Sequence, residues 1–552
     1  MVERLGAYHF HEQAWDSYDD LRAAFEWEVP GQFNMADYVC ERWAEETPEA
    51  VALYAETAGG RERTLTYGDL GEYTDRLANY LAAEGVGRGD RVGVNVGQKP
   101  ETVLAHVACW KLGAVSIPLS TLFGVDGLSY RLDDADAVVC VVDAANVDTL
   151  RDVRGGLDAL ETVLTVDVGD PRAEETDLWA AIESAGAGRT VAETDAEDDG
   201  LLIYTSGTTG DPKGVRHAHR VLLGHLPLFL TTFCNLEMTD DDVYWTPAEW
   251  AWIASLFDVV MPGLYYGQSV LAYAGGEFDP EEAYRLLEKY EVTNFFAPPT
   301  GLRMMARVDQ PGHDVSSVRV VPSGGESLGL DIVNWAGDVF EGAAVHEGYG
   351  QTEANMLVGH CTALSEFREG KMGLAGPGHE VTVVDPETAE PTVDRGEVGE
   401  LAVRYEGNPV CFKQYLGKPE QTDAKVRNGW LLTEDLGTVD EDDYFSFKSR
   451  KDDVIISAGY RIGPEEVEEH LADHEAVADA GVVGVPDDER GQVPKAFVVT
   501  QGVPADGLRE ELQSHVRNRL AAYEYPREVE FVDELPKTAT GKVRREDLRE
   551  GS

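Results

Sequence analysis

The chain has 552 residues, of which 102 are acidic and 46 basic, giving a formal net charge of -56. That balance excludes a surface built for nucleic acid, whose phosphates need positive partners. The length, with 43% hydrophobic residues, excludes both a disordered polymer and one small core.

The first twenty residues, MVERLGAYHFHEQAWDSYDD, lack a basic stretch followed by an apolar one, and no window of about 18 residues is apolar enough to span a bilayer. A soluble, cytoplasmic protein without a membrane partner is expected. Cysteines at 40, 109, 140, 234, 361 and 411 show no CxxC spacing and read as reduced thiols. Short apolar runs at 137–142, 201–204, 270–272, 294–297 and 318–321 alternate with helical patterns. This predicts buried parallel strands in an α/β fold, a large N-terminal domain of fused doubly wound sheets. A connecting helix is predicted at 280–290, where Ala283, Leu286, Leu287 and Tyr290 form one stripe and proline stands in the first turn.

After about residue 360 the pattern becomes glycine-rich and alternating, at 380–385 and 399–404, which predicts a small barrel-like subdomain at about 360–445. From Pro464, a first helical residue, the chain reads as helix, strands, helix and a basic tail. The expected division is therefore an N-terminal domain at 1–449 and a small α+β domain at 450–552.

The segment 201–214 is an apolar strand running into YTSGTTGDPKG. Gly207, Gly210 and Gly214 let backbone N–H groups approach an anion, and Thr205, Ser206, Thr208 and Thr209 add hydroxyl donors. Lys213 adds a point charge for oxygens that turn negative as a phosphoryl group leaves. The spacing is not that of a Walker loop. Further on stand SGGESL with Gly324, Gly325 and Glu326, then YGQTE from Tyr349 to Glu353, each after a predicted strand. GWLLTEDLG holds Asp435, SRKDD runs from Ser449 to Asp453, and PKTATGKVRREDL holds Lys542.

These strings resemble, in order, the motifs of the adenylate-forming (AMP-binding) superfamily, and the stretches TPAEWAW and FAPPTGLRMM look most like its medium-chain acyl-CoA synthetases. The resemblance spans roughly residue 30 to the C-terminus. It implies that Thr205, Ser206, Gly207, Thr208, Thr209 and Gly210 hold ATP phosphates together with Lys213. Gly325, Glu326, Tyr349 and Gln351 then lie along the nucleotide, Thr352 bonds the α-phosphate, and Glu353 binds magnesium through hard oxygen. Asp435 and Arg450 reach the ribose, Asp452 is the hinge, and Lys542 is the catalytic lysine between substrate carboxylate and α-phosphate. Two family glycines are absent, replaced by Glu434 and Ser449.

The same resemblance implies a two-step reaction. A carboxylate attacks the α-phosphorus of ATP and releases pyrophosphate, and a thiol then takes the acyl group from the adenylate. Rotation of the C-terminal domain about Asp452 would exchange Lys542 for Ala458, Gly459 and Tyr460, the glycine leaving room for the pantetheine arm of CoA. Gly459, Tyr460 and Arg461 are thus the expected CoA contacts, with Lys451, Arg544 and Arg545 as further cations. Gly350 stands where acetate-restricted relatives carry tryptophan. With Trp250 and Trp252 as walls, it points to medium-chain, branched or aromatic acids. Self-association is left open. The alternative is a ligase that loads a carrier protein, a luciferase-like oxygenase is a second rival, and an inactive binding protein is disfavoured because Lys542, Thr352 and Glu353 are all present. The surplus of acid, with only 13 lysines, resembles proteins of salt-accumulating halophiles, in which molar salt shortens the Debye length to about 3 Å and screens the repulsion.

Overall fold

The computed structural model describes residues 2–550 apart from 189, 206–211, 309–311, 327, 392–393, 452, 458–459, 488–489, 506, 518, 521–524 and 538–541. Its contacts divide into two compact units, Met1–Glu380 with Arg404–Gly429, and Val381–Val403 with Trp430–Ser552.

In the first unit the expected apolar runs become the strands Val139–Asp143, Asp199–Thr205, Ser269–Ala274, Asn294–Phe295 and Val320–Gly324. Val139–Asp143 is buried along its whole length, which is why its sequence shows no alternation: both faces of a parallel sheet are covered. Eight strands form one sheet in the order Gln414–Tyr415, Lys213–Ala218, Asp199–Thr205, Val115–Pro118, Arg91–Asn95, Val139–Asp143, Thr162–Val166, Glu175–Asp177. Its pairs are parallel except at the Gln414–Tyr415 end, where Asp199–Thr205 and Lys213–Ala218 make an antiparallel hairpin. A nine-stranded sheet has a parallel centre, with Ala354–Gly359 antiparallel to Ala344–Gln351 near one edge.

Two helices of this unit, Pro100–Lys111 and Val221–Leu228, are buried on every side; the second is apolar apart from His225 and so has no face for solvent. Of the charged residues the first buries, Lys111 at its end is held by Asp75 at 2.7 Å and by Glu41. A buried ammonium is tolerable only when so paired. The predicted connecting helix is Pro280–Lys289. Asp279 caps it by accepting from the Glu281 and Glu282 N–H groups, while Ala283, Leu286 and Leu287 are buried. Tyr290 lies just past its end and donates to Glu56 at 2.7 Å.

The stretch predicted as a barrel-like subdomain distributes its strands. Leu374–Ala375 joins the nine-stranded sheet and Gln414–Tyr415 joins the eight-stranded one. In the second unit Val381–Val384, Gly399–Arg404, Trp430–Val439 and Phe445–Arg450 form an antiparallel sheet. The rest of that unit is a sheet of Tyr460–Ile462, Ile455–Ser457, Gly491–Thr500, Val477–Asp487 and Glu528–Phe531. The helices Pro464–Ala472 and Leu508–Arg517 pack on it through Val467, Leu471, Leu508, Leu512 and Val516. Pro464 is indeed the first residue of its helix. No helix among the described residues is long and apolar enough to cross a membrane. All six cysteines are buried and unpaired.

Candidate active site

The hairpin of the eight-stranded sheet closes with Thr205 opposite Lys213. Ser206, Gly207, Thr208, Thr209 and Gly210 lie outside the described residues. At Gly214 an added Cβ would meet the Tyr204 ring at 3.2 Å, so the strand packs tightly against its neighbour as it leaves the loop. Tyr204 donates to Asp134 at 2.8 Å. Lys213 makes no ion pair among the described residues. Its ammonium lies 5.2 Å from the centre of the Tyr415 ring.

On the nine-stranded sheet, Val320–Gly324 runs parallel to Ala344–Gln351, with Gly324 opposite Gly348. Glycine is required here. A Cβ at Gly324 would lie 2.7 Å from the Gly348 carbonyl oxygen, and Gly325 has φ +94°. Glu326 pairs with Arg303 at 3.3 Å. SGGES and YGQTE are thus neighbours on adjacent strands, which sequence order alone does not reveal. Tyr349 and Gln351 are half-buried at the end of their strand.

The turn from Thr352 to Glu353 is braced from below and from the side. His217 is fully buried, and burial drives its pKa down to about 3, so the ring is neutral. Its Nε2 lies 2.8 Å from the Thr352 carbonyl oxygen. A carbonyl only accepts, so Nε2 carries the hydrogen. The Thr352 hydroxyl has no partner among the described residues. Glu353 accepts from the Tyr415 hydroxyl through Oε1 at 2.6 Å, and its carbonyl accepts from Phe412 N–H at 2.8 Å. Oε2 has no protein partner among the described residues. A hard carboxylate oxygen without a protein donor, on the same tyrosine as an unpaired lysine, fits a magnesium ion carried on phosphate.

The sequence signal missed His217, Tyr415 and a third group. Asp258, fully buried, accepts from Asn355 Nδ2 with both oxygens at 2.8 Å and meets His225 Nδ1 at 2.7 Å. Desolvation raises the Asp258 pKa, against the pull of His225 and Asn355. At Gly350 the place of a side chain is taken: a Cβ would sit 2.5 Å from Asn355 Oδ1 and 3.0 Å from the Asn355 Cα. Glycine there admits the opposing strand of the hairpin. Trp250 is fully buried, and Trp252 is half-buried with its ring edge-on to Phe123 at 6.3 Å. The Glu249 carboxylate beside them accepts from Ser120 Oγ at 2.5 Å and Thr121 N–H at 2.6 Å.

In the second unit Asp435 and Arg450, both expected at the ribose, are cross-strand partners, Arg450 Nε lying 3.1 Å from Asp435 Oδ1. Glu434, in the place of the family glycine, has φ +64°. Its N–H donates to Glu400 at 2.9 Å and its carbonyl accepts from Lys451 N–H at 2.8 Å, so the turn keeps the glycine-like backbone with a strained residue. Lys451 also pairs with Glu400 at 3.0 Å. Asp452 and Gly459 lie outside the described residues, while Tyr460 and Arg461 are on the strand Tyr460–Ile462. Lys542 is exposed. Three residues on, Arg545 is buried against Asp453 at 2.9 Å, Glu465 at 2.8 Å and Glu468 at 2.6 Å. It therefore anchors the lysine segment rather than facing solvent.

Family models match most of the chain, "AMP-binding enzyme" at residues 40–416 and "AMP-binding enzyme C-terminal domain" at 466–542. The chain belongs to the AMP-binding enzyme family. An uncharacterized acyl-CoA ligase of Bacillus subtilis is 35% identical over 94% of this chain and 96% of its own length. A mitochondrial acyl-coenzyme A synthetase of Mus musculus is 32% identical over 97% and 93%. Among solved structures, an anthranilate CoA ligase in complex with anthranoyl-AMP superposes with a TM-score of 0.87 at 28% identity, covering 95% of this chain and 98% of that one. This AMP-binding enzyme is accordingly an AMP-forming acid–thiol ligase of the acyl-CoA synthetase type, a class that uses ATP, Mg2+ and CoA.

Proposed function

We propose that the enzyme activates a medium-chain, branched or aromatic carboxylate, with Lys213, Thr352 and Glu353 forming the phosphate end of its first site. The observation that supports this most is the convergence of two distant motifs on one tyrosine: Lys213 over the Tyr415 ring and Glu353 on its hydroxyl. Lys213 would neutralise the departing pyrophosphate, and the Thr352 hydroxyl would donate to an α-phosphate oxygen as charge builds there. Glu353 Oε2 would hold magnesium, which when bound withdraws charge from the phosphates. Gly325, Glu326, Tyr349 and Gln351 would line the nucleotide, with Thr205 and the loop 206–210 on its phosphates and Asp435 and Arg450 on the ribose.

Trp250 and Trp252 supply an aromatic wall, and the structural resemblance to an aromatic-acid ligase supports the same substrate class. Since the Gly350 side is filled by Asn355, pocket depth would be set by those tryptophans. We further propose a boundary at 449/450, with the C-terminal part turning about Asp452. That turn would exchange Lys542, which carries the adenylation step, for Gly459, Tyr460 and Arg461, which receive CoA. Lys542→Ala should lower pyrophosphate release at least about 100-fold while sparing thioester formation from supplied acyl-AMP. Equal loss in both half-reactions would contradict the exchange. We also take the enzyme to work in a salt-rich cytoplasm, without nucleic-acid or membrane partners. Its unfolding temperature should then rise as KCl is raised from dilute to molar, and a fall would contradict that reading.

A further inference from the structure

We propose that Tyr415 is a positioning residue that couples the phosphate lysine to the magnesium glutamate, holding one oxygen of Glu353 so that the other is presented to the metal. The inference rests on the roles given above to Lys213 and Glu353, and assigns a function to a residue outside every motif that carried them.

Tyr415 is 2% exposed and stands on the two-residue strand Gln414–Tyr415, opposite Val215. The next residue, Leu416, donates its N–H to the Gly214 carbonyl at 2.7 Å. The tyrosine is thereby fixed beside the strand that leaves the phosphate loop. Its ring packs on Phe412 with centres 4.9 Å apart, and its N–H donates to Thr422 Oγ1 at 3.0 Å. A phenol this buried needs a partner for its hydroxyl. The hydroxyl donates to Glu353 Oε1 at 2.6 Å.

The segment 411–415 grips the Glu353 turn at both levels. Cys411 bridges Ala354, Phe412 N–H holds the Glu353 carbonyl, and Tyr415 holds its side chain. With backbone and one oxygen pinned, Oε2 has a single direction in which to point. Outer hydrogen bonds of this kind orient metal-binding carboxylates, and losing one typically weakens metal binding about 10–100-fold. The other face of the device is electrostatic. The negative ring face attracts the Lys213 ammonium, keeping it near Glu353 without the direct ion pair that would remove both groups from the nucleotide. One side chain thus sets the spacing between a cation and a metal-binding anion that belong to different sheets.

The test uses the full-length protein with ATP and Mn2+ as the probe, counting free Mn2+ by electron paramagnetic resonance. Tyr415→Phe keeps the ring and removes the hydroxyl. It should retain Mn2+ about 10–100-fold less tightly at fixed ATP, with thioester formation from supplied acyl-AMP unchanged. Glu353→Gln is the control. If it weakens Mn2+ retention and Tyr415→Phe does not, the coupling is overturned while the role of Glu353 stands. If Glu353→Gln has no effect, the reading of Glu353 fails and this inference with it. Loss of both half-reactions alike in Tyr415→Phe would mark a merely structural tyrosine and overturn the proposal. Should that variant not fold, Tyr415→Leu likewise removes the hydroxyl while keeping an apolar side chain in the site, and wild-type Mn2+ retention there would overturn the proposal in the same way.

Discussion

Replacing Arg545 with methionine removes the cation that Glu465 and Glu468 share. Arg545 is 12% exposed and makes contacts of 2.6 to 2.9 Å with Asp453, Glu465 and Glu468, while Asp453 has a second partner in Arg549 at 2.7 Å. Asp453 therefore keeps a counter-charge after the substitution, whereas Glu465 has no other cation among the described residues. Removing one member of a buried charge network costs about 3–5 kcal/mol. Methionine retains most of the aliphatic stem, and Glu465, its pKa raised by burial to about 8, already holds its proton near neutral pH, so the charge left without a cation is that of Glu468 and a cost of about 3 kcal/mol is expected. In a unit of roughly 150 residues each kcal/mol moves the midpoint by about 2–4 °C, so the transition should fall by about 6–12 °C. Calorimetry of the full chain in molar KCl reads this directly. A shift under about 2 °C would show that the network contributes nothing net, and would refute the view that Arg545 anchors the segment bearing Lys542.

The same cluster predicts a pH dependence. Burial raises the Glu465 pKa from 4.5 to about 8 despite Arg545, so the folded state holds this proton more tightly than the unfolded chain. The resulting stability is present below pH 4.5 and is lost as pH rises through about 8. Glu465→Gln should flatten the stability curve across that window, and curves that stay parallel would contradict it. Glu434→Gly addresses the strained ribose turn. Relief of about 1–2 kcal/mol of left-handed strain, less about 0.5–1 kcal/mol of added chain entropy, should stabilise the protein by up to about 1.5 kcal/mol in urea titrations. Destabilisation would show that the Glu434 side chain contributes more than its backbone costs.

The elements that the sequence reading located well are those whose cause is local. Val139–Asp143 and Val320–Gly324 appear as unbroken apolar runs because both faces of a parallel strand are covered, and the helix at Pro280 announces itself through Asp279, proline and one apolar stripe. The motif residues were legible for a related reason: glycines at 324 and 325 answer to a carbonyl 2.7 Å away and to φ +94°. What stayed hidden is long-range. Tyr415 reads as one aromatic in a polar stretch, and only its pairing with Val215 carries it to Glu353, 62 positions away in the chain. His217 and Thr352, 135 positions apart, meet for the same reason. Asp258 stands in an apolar run, and its partners His225 and Asn355 lie on other elements. Gly350 carries a different lesson. An absent side chain suggests space, yet here the space belongs to Asn355.

The central claim is that this enzyme uses ATP to activate a carboxylate larger than acetate and passes the acyl group to CoA. Pyrophosphate release and acyl-CoA formation, followed together for acetate, octanoate and benzoate with and without CoA in molar KCl, test it most directly. The enzyme should release pyrophosphate and form a CoA thioester with octanoate or benzoate, and do far less of both with acetate. Pyrophosphate release without any CoA thioester would contradict it, and acetate as the best substrate would contradict the pocket assigned to Trp250 and Trp252.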